Sequence, residues 1–541
     1  MALPEDCDIL IIGSGNAGLS AAISAAQTIT TSTSPTKKPA QILLIDKCPE
    51  EWAGGNTYFT AGAFRTVHNG LPNLLPLVNN VDSSTAQKID IPPYTNEAFT
   101  RDMQRVTGGR TDADLSRTLV EDSYETVEWL SRVGVRFQLS FNRQAYEVGG
   151  QVKFWGGLAL KTQDGGKGLV KDLHHAARRL EVRFCYSTAA KWLVTDPGTG
   201  RVTSVVVSHH HPDENRGLAQ EKTINVRSAT ILAAGGFEAN PRSRAQFLGP
   251  NWDMALVRGT PYNTGDLLET AIRDISAKPA GNWSGCHCVA WDANAAPDTG
   301  NRGVSNEYTK SGYPLGIMVN RRGKRFADEG SDMRNYTYAM IGREILNQPG
   351  HVAFQVWDAK TSNWLREEEY RPEVVQRITG ASIAELAEQC SVHGLEDEQQ
   401  FINTFNEYNN AVYASQEQAQ KSGTERKWDP SIKDGLSTQT ENSSSLSIPK
   451  SNWALPVDRP PFLAVKVSAG ITFTFGGLAV NHETAAVISS MTGREVPGTY
   501  CIGEMLGGLF YDNYPGGSGL TSGAVFGRRA GRAAAGDVLS L

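Results

Sequence analysis

A glycine-rich turn close to the first residues of the chain has the residue types and the spacing that bind phosphate. The turn Gly13–Gly18 reads Gly-Ser-Gly-Asn-Ala-Gly, follows the apolar run Asp8–Ile12 and precedes an alanine-rich segment of helical character. A strand, a glycine turn and a helix in this order form the dinucleotide-binding fingerprint, because the helix N-terminus offers N–H groups and a partial positive charge to a pyrophosphate. We expect Gly13 to make the tight turn, Gly15 to let the backbone approach the ligand, and Gly18 to let helix and strand pack closely.

An acidic residue at the end of a second apolar strand supports this interpretation. Gln41–Asp46 reads as a strand, and Asp46 is placed to accept hydrogen bonds from a ribose. Asp46 follows Gly18 by more than the usual ~20 residues. The polar stretch Thr28–Thr36 predicts an inserted loop that explains the excess.

The bulk composition is that of a globular protein with two or three domains. The chain has 541 residues, of which 40% are hydrophobic and 20% charged, and a formal net charge of −6 that argues against a nucleic-acid surface. No apolar run reaches the ~18 residues of a membrane span, and no signal peptide is evident. Seven cysteines without a CxxC pair indicate reduced thiols, so a cytoplasmic location is expected.

Three adjacent histidines, His209–His211, are the obvious potential metal ligands. Side chains alternate along a strand, so three neighbours cannot all face one ion. We therefore place them in the loop that continues through Asp213–Asn215 and predict no metal site.

Hydrophobic periodicity outlines the elements that position the glycine turn. It predicts a helix over Asp112–Val133 capped by Gly134, a strand over Thr230–Phe237 that runs into Gly235 and Gly236, and a C-terminal helix over Ser522–Ala535. Between these lies a segment that is richer in Trp, Tyr and Asn. The pattern predicts a split cofactor domain, with residues 1–281 as its first part, 470–541 as its closing part, and residues 282–469 as a capping and substrate domain.

Several motifs recur along the whole chain in a recognisable order. They are Gly13–Gly18, Gly54–Thr57, Thr264–Asp266, Gly323–Glu329, Gly503-Glu504 and Phe526–Gly531. As a set they resemble the fumarate reductase/succinate dehydrogenase flavoprotein superfamily. Within it, Trp283–Asp292, Tyr313–Asn320, Arg334–Tyr338 and Asn513–Leu520 look closest to the tricarballylate dehydrogenase branch.

The resemblance implies FAD as cofactor and an α/β fold, in which a Rossmann-like FAD-binding domain is split between the N- and C-terminal parts and carries an inserted α+β capping domain. Helix N-terminal residues near the pyrimidine edge would stabilise negative charge on the reduced ring. The positions implied to contact FAD are Gly13, Gly15, Asn16, Ala17, Gly18, Asp46, Lys47, Gly54, Gly55, Asn56, Thr57, Ala61, Gly62, Gly235, Asp266, Glu504, Ser518, Gly519, Leu520 and Thr521.

The residues before the glycine pair bear on how FAD is attached. Covalent attachment in succinate dehydrogenases uses a histidine just before this pair, whereas this chain has Glu51-Trp52-Ala53. We therefore expect noncovalent FAD.

The resemblance also implies catalytic residues. Arg334 matches the proton-delivering arginine, with a spacing one residue longer, and His287 matches a histidine that binds the substrate carboxylate. A guanidinium hardly ever deprotonates, so either a neighbour drains the proton from Arg334, or Tyr511 or Tyr514 is the proton carrier instead. Weaker candidates for carboxylate contacts are Arg258 and Tyr308.

The sequence departs from the family pattern at two positions where the family has residues that bind a dicarboxylate. Phe473 stands where the family has a second histidine, and Gly519 and Leu520 stand near the place of a second arginine. These departures put a C4-dicarboxylate substrate in doubt.

The predicted function is a FAD-dependent oxidoreductase that converts CH–CH to C=C in a polycarboxylic or related acid, tricarballylate-dehydrogenase-like, by hydride transfer to flavin N5. A fumarate-reductase-like or ketosteroid-dehydrogenase-like enzyme and a FAD-binding subunit of a larger assembly are the alternatives. No haem CxxCH and no iron–sulfur cysteine cluster occurs. We therefore expect a small-molecule acid as substrate and oxygen, a quinone or a redox protein as a separate electron acceptor.

Overall fold

The computed structural model describes residues 3–32, 40–154, 157–210, 219–440 and 446–540. The strands are β1 Asp6–Ile12, β2 Ile42–Ile45, β3 Ala63–Phe64, β4 Ile89–Asp90, β5 Phe137–Leu139, β6 Ala145–Val148, β7 Gln151–Phe154, β8 Leu160–Thr162, β9 Arg183–Cys185, β10 Thr188–Thr195, β11 Val202–His209, β12 Gln220–Leu232, β13 Leu256–Val257, β14 Pro279–Asp292, β15 Ile317–Asn320, β16 Ala353–Trp357, β17 Ile378–Gly380, β18 Phe462–Leu478, β19 Ala486–Ile488 and β20 Glu495–Cys501. The α-helices are α1 Asn16–Ser32, α2 Leu71–Leu74, α3 Ser83–Ala86, α4 Asn96–Val106, α5 Ala113–Val133, α6 Phe141–Gln144, α7 Gly165–Arg179, α8 Pro241–Leu248, α9 Asp266–Asp274, α10 Arg334–Leu346, α11 Ala359–Ser362, α12 Glu367–Tyr370, α13 Ile383–Val392, α14 Glu398–Ser422 and α15 Ser518–Leu539. Within these ranges, no helix combines the length and the apolar character needed to cross a membrane.

The largest sheet has eight strands and carries the glycine turn at one edge. Its main path runs β10-β11-β12-β1-β2-β9, with β20 paired to β12 and β19 paired to β20. Strands β1, β2, β12 and β20 are parallel, and their last residues Ile12, Ile45, Leu232 and Cys501 lie side by side. Because the carboxyl ends of parallel strands share one edge, the segments that follow these residues form one rim.

The two ends of the chain meet where α1 packs against α15. A Cβ atom added at Gly527 would lie 2.7 Å from the carbonyl oxygen of Ala17, and one added at Gly531 would lie 2.4 Å from that of Ala21. Glycine is therefore required for the two helices to approach this closely. This packing confirms the predicted α/β class with a cofactor domain built from both ends of the chain.

A second sheet of six strands is organised around the long strand β18. Its path is β13-β18-β16-β15, and β14 and β17 also pair with β18. The antiparallel register of β14 and β18 places His287 directly opposite Phe473. Strand β14 begins at Pro279 and β18 ends at Leu478, so both strands run across the predicted domain boundaries, which stay a prediction.

Helix α5 has the caps expected from the sequence. The side chain of Asp112 accepts hydrogen bonds from the N–H groups of Asp114 and Leu115, each at 3.0 Å. Gly134 ends the helix in the left-handed region, at φ +112°. The prediction of this helix is confirmed.

The loop predicted over Thr28–Thr36 is wrong in its first half, because α1 continues to Ser32. The hydroxyls of Thr28 and Thr30 donate to carbonyl oxygens one turn earlier, at 2.9 and 2.8 Å, and Ile29 is buried. Local hydrogen bonding thus lets these polar residues continue the helix. Residues 33–36 lie outside the described part of the chain.

The loop predicted for the three histidines is also wrong at its start. His209 is the last residue of β11, where it is buried with its Nδ1 atom 2.8 Å from the hydroxyl of Thr188. His211 lies outside the described ranges. Among the residues that are described, no cluster of three His, Cys, Asp or Glu side chains could hold a metal ion.

Candidate functional site

A deep cleft opens along the rim where the parallel strands end and continues to the second sheet. It contains about 1960 Å³ of space, including its open mouth. Because the cleft reaches from the N-terminal glycine turn to the second sheet, it can hold an extended molecule.

Most of the predicted cofactor-contacting residues line this cleft. They are Gly13, Gly15, Asn16, Ala17, Asp46, Lys47, Gly55, Asn56, Thr57, Ala61, Gly235, Asp266, Glu504, Gly519 and Leu520. The others, which lie behind its surface, are Gly18, Gly54, Gly62, Ser518 and Thr521. Gly18 serves packing, since an added Cβ would lie 2.1 Å from the carbonyl oxygen of Gly13, and the Thr521 hydroxyl donates to the Arg65 carbonyl at 2.7 Å.

The first two glycines of the N-terminal turn serve different needs. Gly13 has φ +117°, and an added Cβ would lie 2.2 Å from the carbonyl oxygen of Ala233, so the fold itself demands glycine there. At Gly15 the nearest described atom to an added Cβ is the Thr57 hydroxyl at 3.6 Å, an ordinary contact. The missing side chain at Gly15 therefore leaves room in the cleft for a ligand.

Asp46 is held rigidly against the turn. Its Oδ2 atom accepts from the backbone N–H and the hydroxyl of Ser14 at 2.8 and 2.6 Å, and its Oδ1 accepts from the N–H of Cys48 at 3.0 Å. A carboxylate offers about four acceptor positions. These bonds leave capacity for one further donor, such as a ribose hydroxyl.

Lys47 and Asp266 form an ion pair on the same rim. The Lys47 ammonium lies 2.6 Å from Asp266 Oδ1 and 2.6 Å from the Thr264 hydroxyl. Burial acts to raise the pKa of Asp266, but the charge and hydrogen bond of Lys47 outweigh it and lower that pKa. We call this side of the cleft, with the N-terminal turn and Asp46, the glycine end.

The loop before α15 is fixed from behind by a buried arginine. Arg65 is fully buried, and its Nε donates to the carbonyl of Gly516 at 2.9 Å while its backbone N–H donates to that of Gly517 at 3.3 Å. Its guanidinium is paired with Asp102 at 3.1 Å. Because α15 starts directly after this loop, its positive N-terminal end, with Gly519, faces the cleft.

The opposite end of the cleft, beside the second sheet, is built from aromatic side chains around His287. The His287 ring centroid lies 4.7 Å from that of Tyr514, 5.7 Å from Phe473 and 6.2 Å from Tyr338. We call these four residues, together with Arg258, the aromatic end. Strand alternation explains the arrangement, since Cys286 and Cys288 turn into the core while His287 lines the cleft.

The two titratable groups at the centre of this end are uncharged at neutral pH. Burial, and then the positive charge of Arg258, lower the pKa of His287 well below its ordinary value. Desolvation raises the pKa of Tyr514 to about 12, although its ring is partly exposed to the cleft. Both side chains can therefore form hydrogen bonds with a ligand without adding charge, and the neutral imidazole of His287 can accept a proton.

Arg258, which sequence reasoning ranked as a weaker candidate, lines the aromatic end. Its guanidinium donates to the hydroxyl of Thr472 at 2.9 Å and to Asn306 Oδ1 at 2.5 Å, and it lies 5.5 Å from the ring centroid of Trp291. These partners fix its orientation. Tyr308 packs against the same tryptophan, outside the cleft lining.

Arg334 and Tyr511, both predicted to be catalytic, do not line the cleft. Arg334 begins α10 and lines a separate small pocket, with its guanidinium 5.7 Å from the ring centroid of Tyr146. Tyr511 packs against Arg110, whose guanidinium lies 5.0 Å from the centroid of the Tyr511 ring.

Glu238 is a residue of this site that sequence reasoning missed. It is fully buried behind Glu504, which lines the cleft, and burial and then the charge of Glu504 raise the pKa of Glu238. The signal that could have found it is its position directly after Gly235-Gly236-Phe237, at the end of the rim strand β12.

Comparison with known proteins gives the chain its relatives. Residues 88–520 match the family model described as "FAD binding domain". The fumarate reductase (cytochrome) of Shewanella frigidimarina is 24% identical over 547 residues, covering 98% of this chain and 78% of that protein. The 4-oxocyclohex-2-ene-1-carboxylate 5-dehydrogenase of Sinomonas cyclohexanicum is 23% identical over 603 residues, covering 97% and 93%. A solved 3-ketosteroid delta1-dehydrogenase from Sterolibacterium denitrificans shares the fold with a TM-score of 0.68 at 19% identity, covering 98% and 100%.

The donor set of the glycine end fits FAD. The N-termini of α1 and α15 supply backbone N–H groups for a diphosphate and for an anionic ring edge, and Asp46 has acceptor capacity for a ribose. At Gly519, as at Gly15, an added Cβ would meet its nearest described neighbour at an ordinary distance, 3.7 Å to the Tyr514 ring. Small residues thus leave room that the protein does not itself fill. Noncovalent attachment stays a prediction.

Proposed function

We propose a substrate class for this chain, which belongs to the FAD binding domain family, uses FAD as its cofactor and is an oxidoreductase acting on CH–CH groups. The substrate has a mainly apolar body, and its reacting CH–CH bond lies next to a ketone or a single carboxylate. When bound, FAD supplies the hydride acceptor or donor for that bond.

The observation that carries this proposal is the charge of the aromatic end. Among the described residues that line the cleft, the charged ones are Asp46, Lys47, Arg258, Asp266 and Glu504, and Arg258 is the one at the aromatic end. Burying a carboxylate without a partner costs several kcal/mol. One arginine supports one carboxylate or a polarised carbonyl, whereas a tricarboxylate needs further cations.

Different side chains of the aromatic end would bind the substrate, stabilise its negative charge and transfer its proton. Removing a proton next to a carbonyl places negative charge on the carbonyl oxygen, which hydrogen-bond donors stabilise. We assign that donor role to Tyr514, with Arg258 holding the carbonyl or carboxylate. His287, whose Nδ1 has no hydrogen-bond partner among the described residues, carries the proton of the adjacent carbon.

The names of two relatives agree with this choice. The substrate named for the Sinomonas enzyme is a six-membered ring with one ketone and one carboxylate, and the named substrate of the structural relative is a steroid ketone. Tricarballylate dehydrogenation and a fumarate-reductase-like activity are the rival predictions. A separate electron acceptor, whether oxygen, a quinone or a redox protein, remains part of the proposal.

Anaerobic mixing of the purified holoenzyme with candidate substrates tests the proposal. Bleaching of the flavin absorbance by 4-oxocyclohexanecarboxylate or a 3-ketosteroid, with no bleaching by tricarballylate, is the expected result. Reoxidation of the dye-reduced enzyme by a cyclic enone, faster than by fumarate, is expected for the reverse direction. Bleaching by tricarballylate alone would overturn the proposed substrate class and favour the polycarboxylate.

A further inference from the structure

Two carboxyl groups lie against each other at the wall of the cleft, a position that costs free energy if both are ionised. Glu238 is fully buried, and Glu504 is partly exposed to the cleft. Gly236 makes their approach possible, since an added Cβ there would lie 2.2 Å from Glu504 Oε1. Like charges this close cannot both ionise without a large penalty, so the pair tends to hold one proton.

The hydrogen-bond partners of the two Glu238 oxygens indicate where that proton resides. Glu238 Oε1 accepts from the amide nitrogens of Asn56 and Asn263, the second at 2.7 Å. No N–H or O–H donor among the described residues reaches Glu238 Oε2. An acid proton on Oε2, donated to the neighbouring carboxylate, satisfies this otherwise orphaned atom.

The surroundings of Glu504 oppose its charge less than those of Glu238 do. Its Oε1 accepts from the backbone N–H and the hydroxyl of Thr474, at 2.7 and 3.2 Å. Burial raises the pKa of Glu238 well above its ordinary value, and the charge of Glu504 raises it further. Burial raises the pKa of Glu504 as well, but the hydrogen bonds from Thr474 act to lower it, so charge is opposed more strongly on Glu238.

A nearby cation completes the charge balance. Arg244 is buried, and its NH1 and NH2 groups donate to the carbonyl oxygens of Glu238 and Asp253 at 2.6 and 2.8 Å, rather than to a carboxyl group. With one proton shared by Glu238 and Glu504, the cluster of the two acids and Arg244 has no net charge. Ionising both acids would leave a buried excess of negative charge.

We propose that Glu238 is a neutral carboxylic acid that donates its hydrogen bond to Glu504, and thereby holds Glu504 in the wall of the FAD cleft as a carboxylate of fixed orientation. Glu238 is thus a positioning residue, which acts through Glu504. The inference rests on FAD as the cofactor and does not depend on the proposed substrate class.

The same acid also orders a link toward the aromatic end. Asn56, which donates to Glu238, donates to the carbonyl of Thr472 as well, and its Oδ1 accepts from the N–H of Thr260 at 2.9 Å. The hydroxyl of Thr472 in turn accepts from Arg258. Loss of the neutral acid would therefore be transmitted from the glycine end to the arginine of the aromatic end.

The variant Glu238→Gln tests the protonation state. A glutamine side chain reproduces a neutral acid, because its oxygen can accept from both asparagines and its amide nitrogen can donate to Glu504. We expect the apo-protein of this variant to bind FAD, measured by quenching of flavin fluorescence, within about threefold of the wild type. Glu238→Ala, which removes the acceptor that both asparagines share, should bind FAD at least tenfold more weakly.

A spectroscopic measurement separates this role from a merely structural one. The infrared difference spectrum of wild type minus Glu238→Gln at pH 8 should contain the carbonyl stretch of a protonated carboxylic acid. Glu388→Gln, which removes the same charge on the exposed face of α13, should leave both the spectrum and FAD affinity unchanged. A folded Glu238→Gln protein that binds FAD tenfold more weakly, or a difference spectrum with carboxylate bands alone, would overturn the proposal.

Discussion

The two ends of the cleft are built in different ways. The glycine end is made mainly of backbone and small residues from one continuous stretch, the turn before α1, with the charged side chains of Asp46, Lys47 and Asp266 beside it. The aromatic end takes single side chains from separate elements, namely Arg258, His287, Tyr338, Phe473 and Tyr514. A site made of backbone tolerates almost no change, whereas a site made of side chains can be rebuilt one substitution at a time. This contrast would allow the aromatic end to change while the glycine end stays the same.

The largest effect is expected at the glycine end. Gly13→Ala places a Cβ 2.2 Å from a backbone oxygen, so we expect it to lose the fold or at least all FAD. Gly15→Ala meets ordinary contacts within the protein and should keep the melting temperature of the apo-protein, but its methyl group enters the cleft and should lower FAD affinity at least tenfold. Flavin absorbance per protein and thermal melts measure both effects. Normal FAD content in Gly15→Ala would mean that Gly15 does not face the cofactor.

The next effect belongs to the aromatic end. Removing the hydroxyl in Tyr514→Phe should lower kcat by about 10²–10⁴-fold, because a positioned donor or proton carrier is lost, and should leave FAD content unchanged. Tyr511→Phe is the matched control, since Tyr511 lies outside the cleft, and its kcat should stay within about twofold. Steady-state kinetics with a substrate that bleaches the flavin measures kcat for both variants. Equal losses in both variants would contradict the assignment.

A pair of arginine variants tests which cation serves the substrate. Arg258→Met removes the cation at the aromatic end and should lower kcat/KM by about 10–100-fold, the value of a charged hydrogen bond. Arg334→Met should change kcat/KM by less than about threefold, because Arg334 lines a different pocket. If the order is reversed, Arg334 is the catalytic arginine that the motif predicts and the cleft must rearrange during turnover.

The smallest expected effect is the dependence of folding stability on pH. Burial lowers the pKa of His68 to about 4 and that of His287 well below its ordinary value. Both are neutral when folded, so the stability they confer is present above the unfolded pKa of ~6.5 and is lost as the pH falls toward the folded value. For His68 the loss between pH 7 and pH 5 is about 2 kcal/mol.

Thermal melts of the apo-protein between pH 7 and pH 5 check this sign. His287→Phe at the aromatic end and His68→Phe outside the cleft should each flatten the decline in melting temperature. If the melting temperature of His287→Phe declines as steeply as that of the wild type, His287 titrates normally. The aromatic end would then be more accessible to water than its burial indicates.

The accuracy of sequence reasoning varied with the range of the interactions involved. The capped helix α5 and the turn Gly13–Gly18 were predictable, because caps, glycines and apolar spacing act within a few residues. The loop over Thr28–Thr36 was mispredicted, since threonines that look loop-forming satisfy their hydroxyls on the helix itself. A motif predicts Arg334 as a catalytic residue, but whether its side chain reaches the cleft depends on where α10 starts relative to the cleft.

Local spacing identifies the class of cofactor, because phosphate binding needs only a strand, a glycine turn and a helix N-terminus in immediate succession. The sequence pattern also predicts that both ends of the chain serve this cofactor. What the rest of the cleft contains depends on how distant segments fold together. The fold sets His287 against Phe473 across two strands, brings Arg258 to the same wall and places Glu238 behind Glu504. These contacts join residues hundreds of positions apart, and their electrostatics depend on burial, which local spacing does not encode.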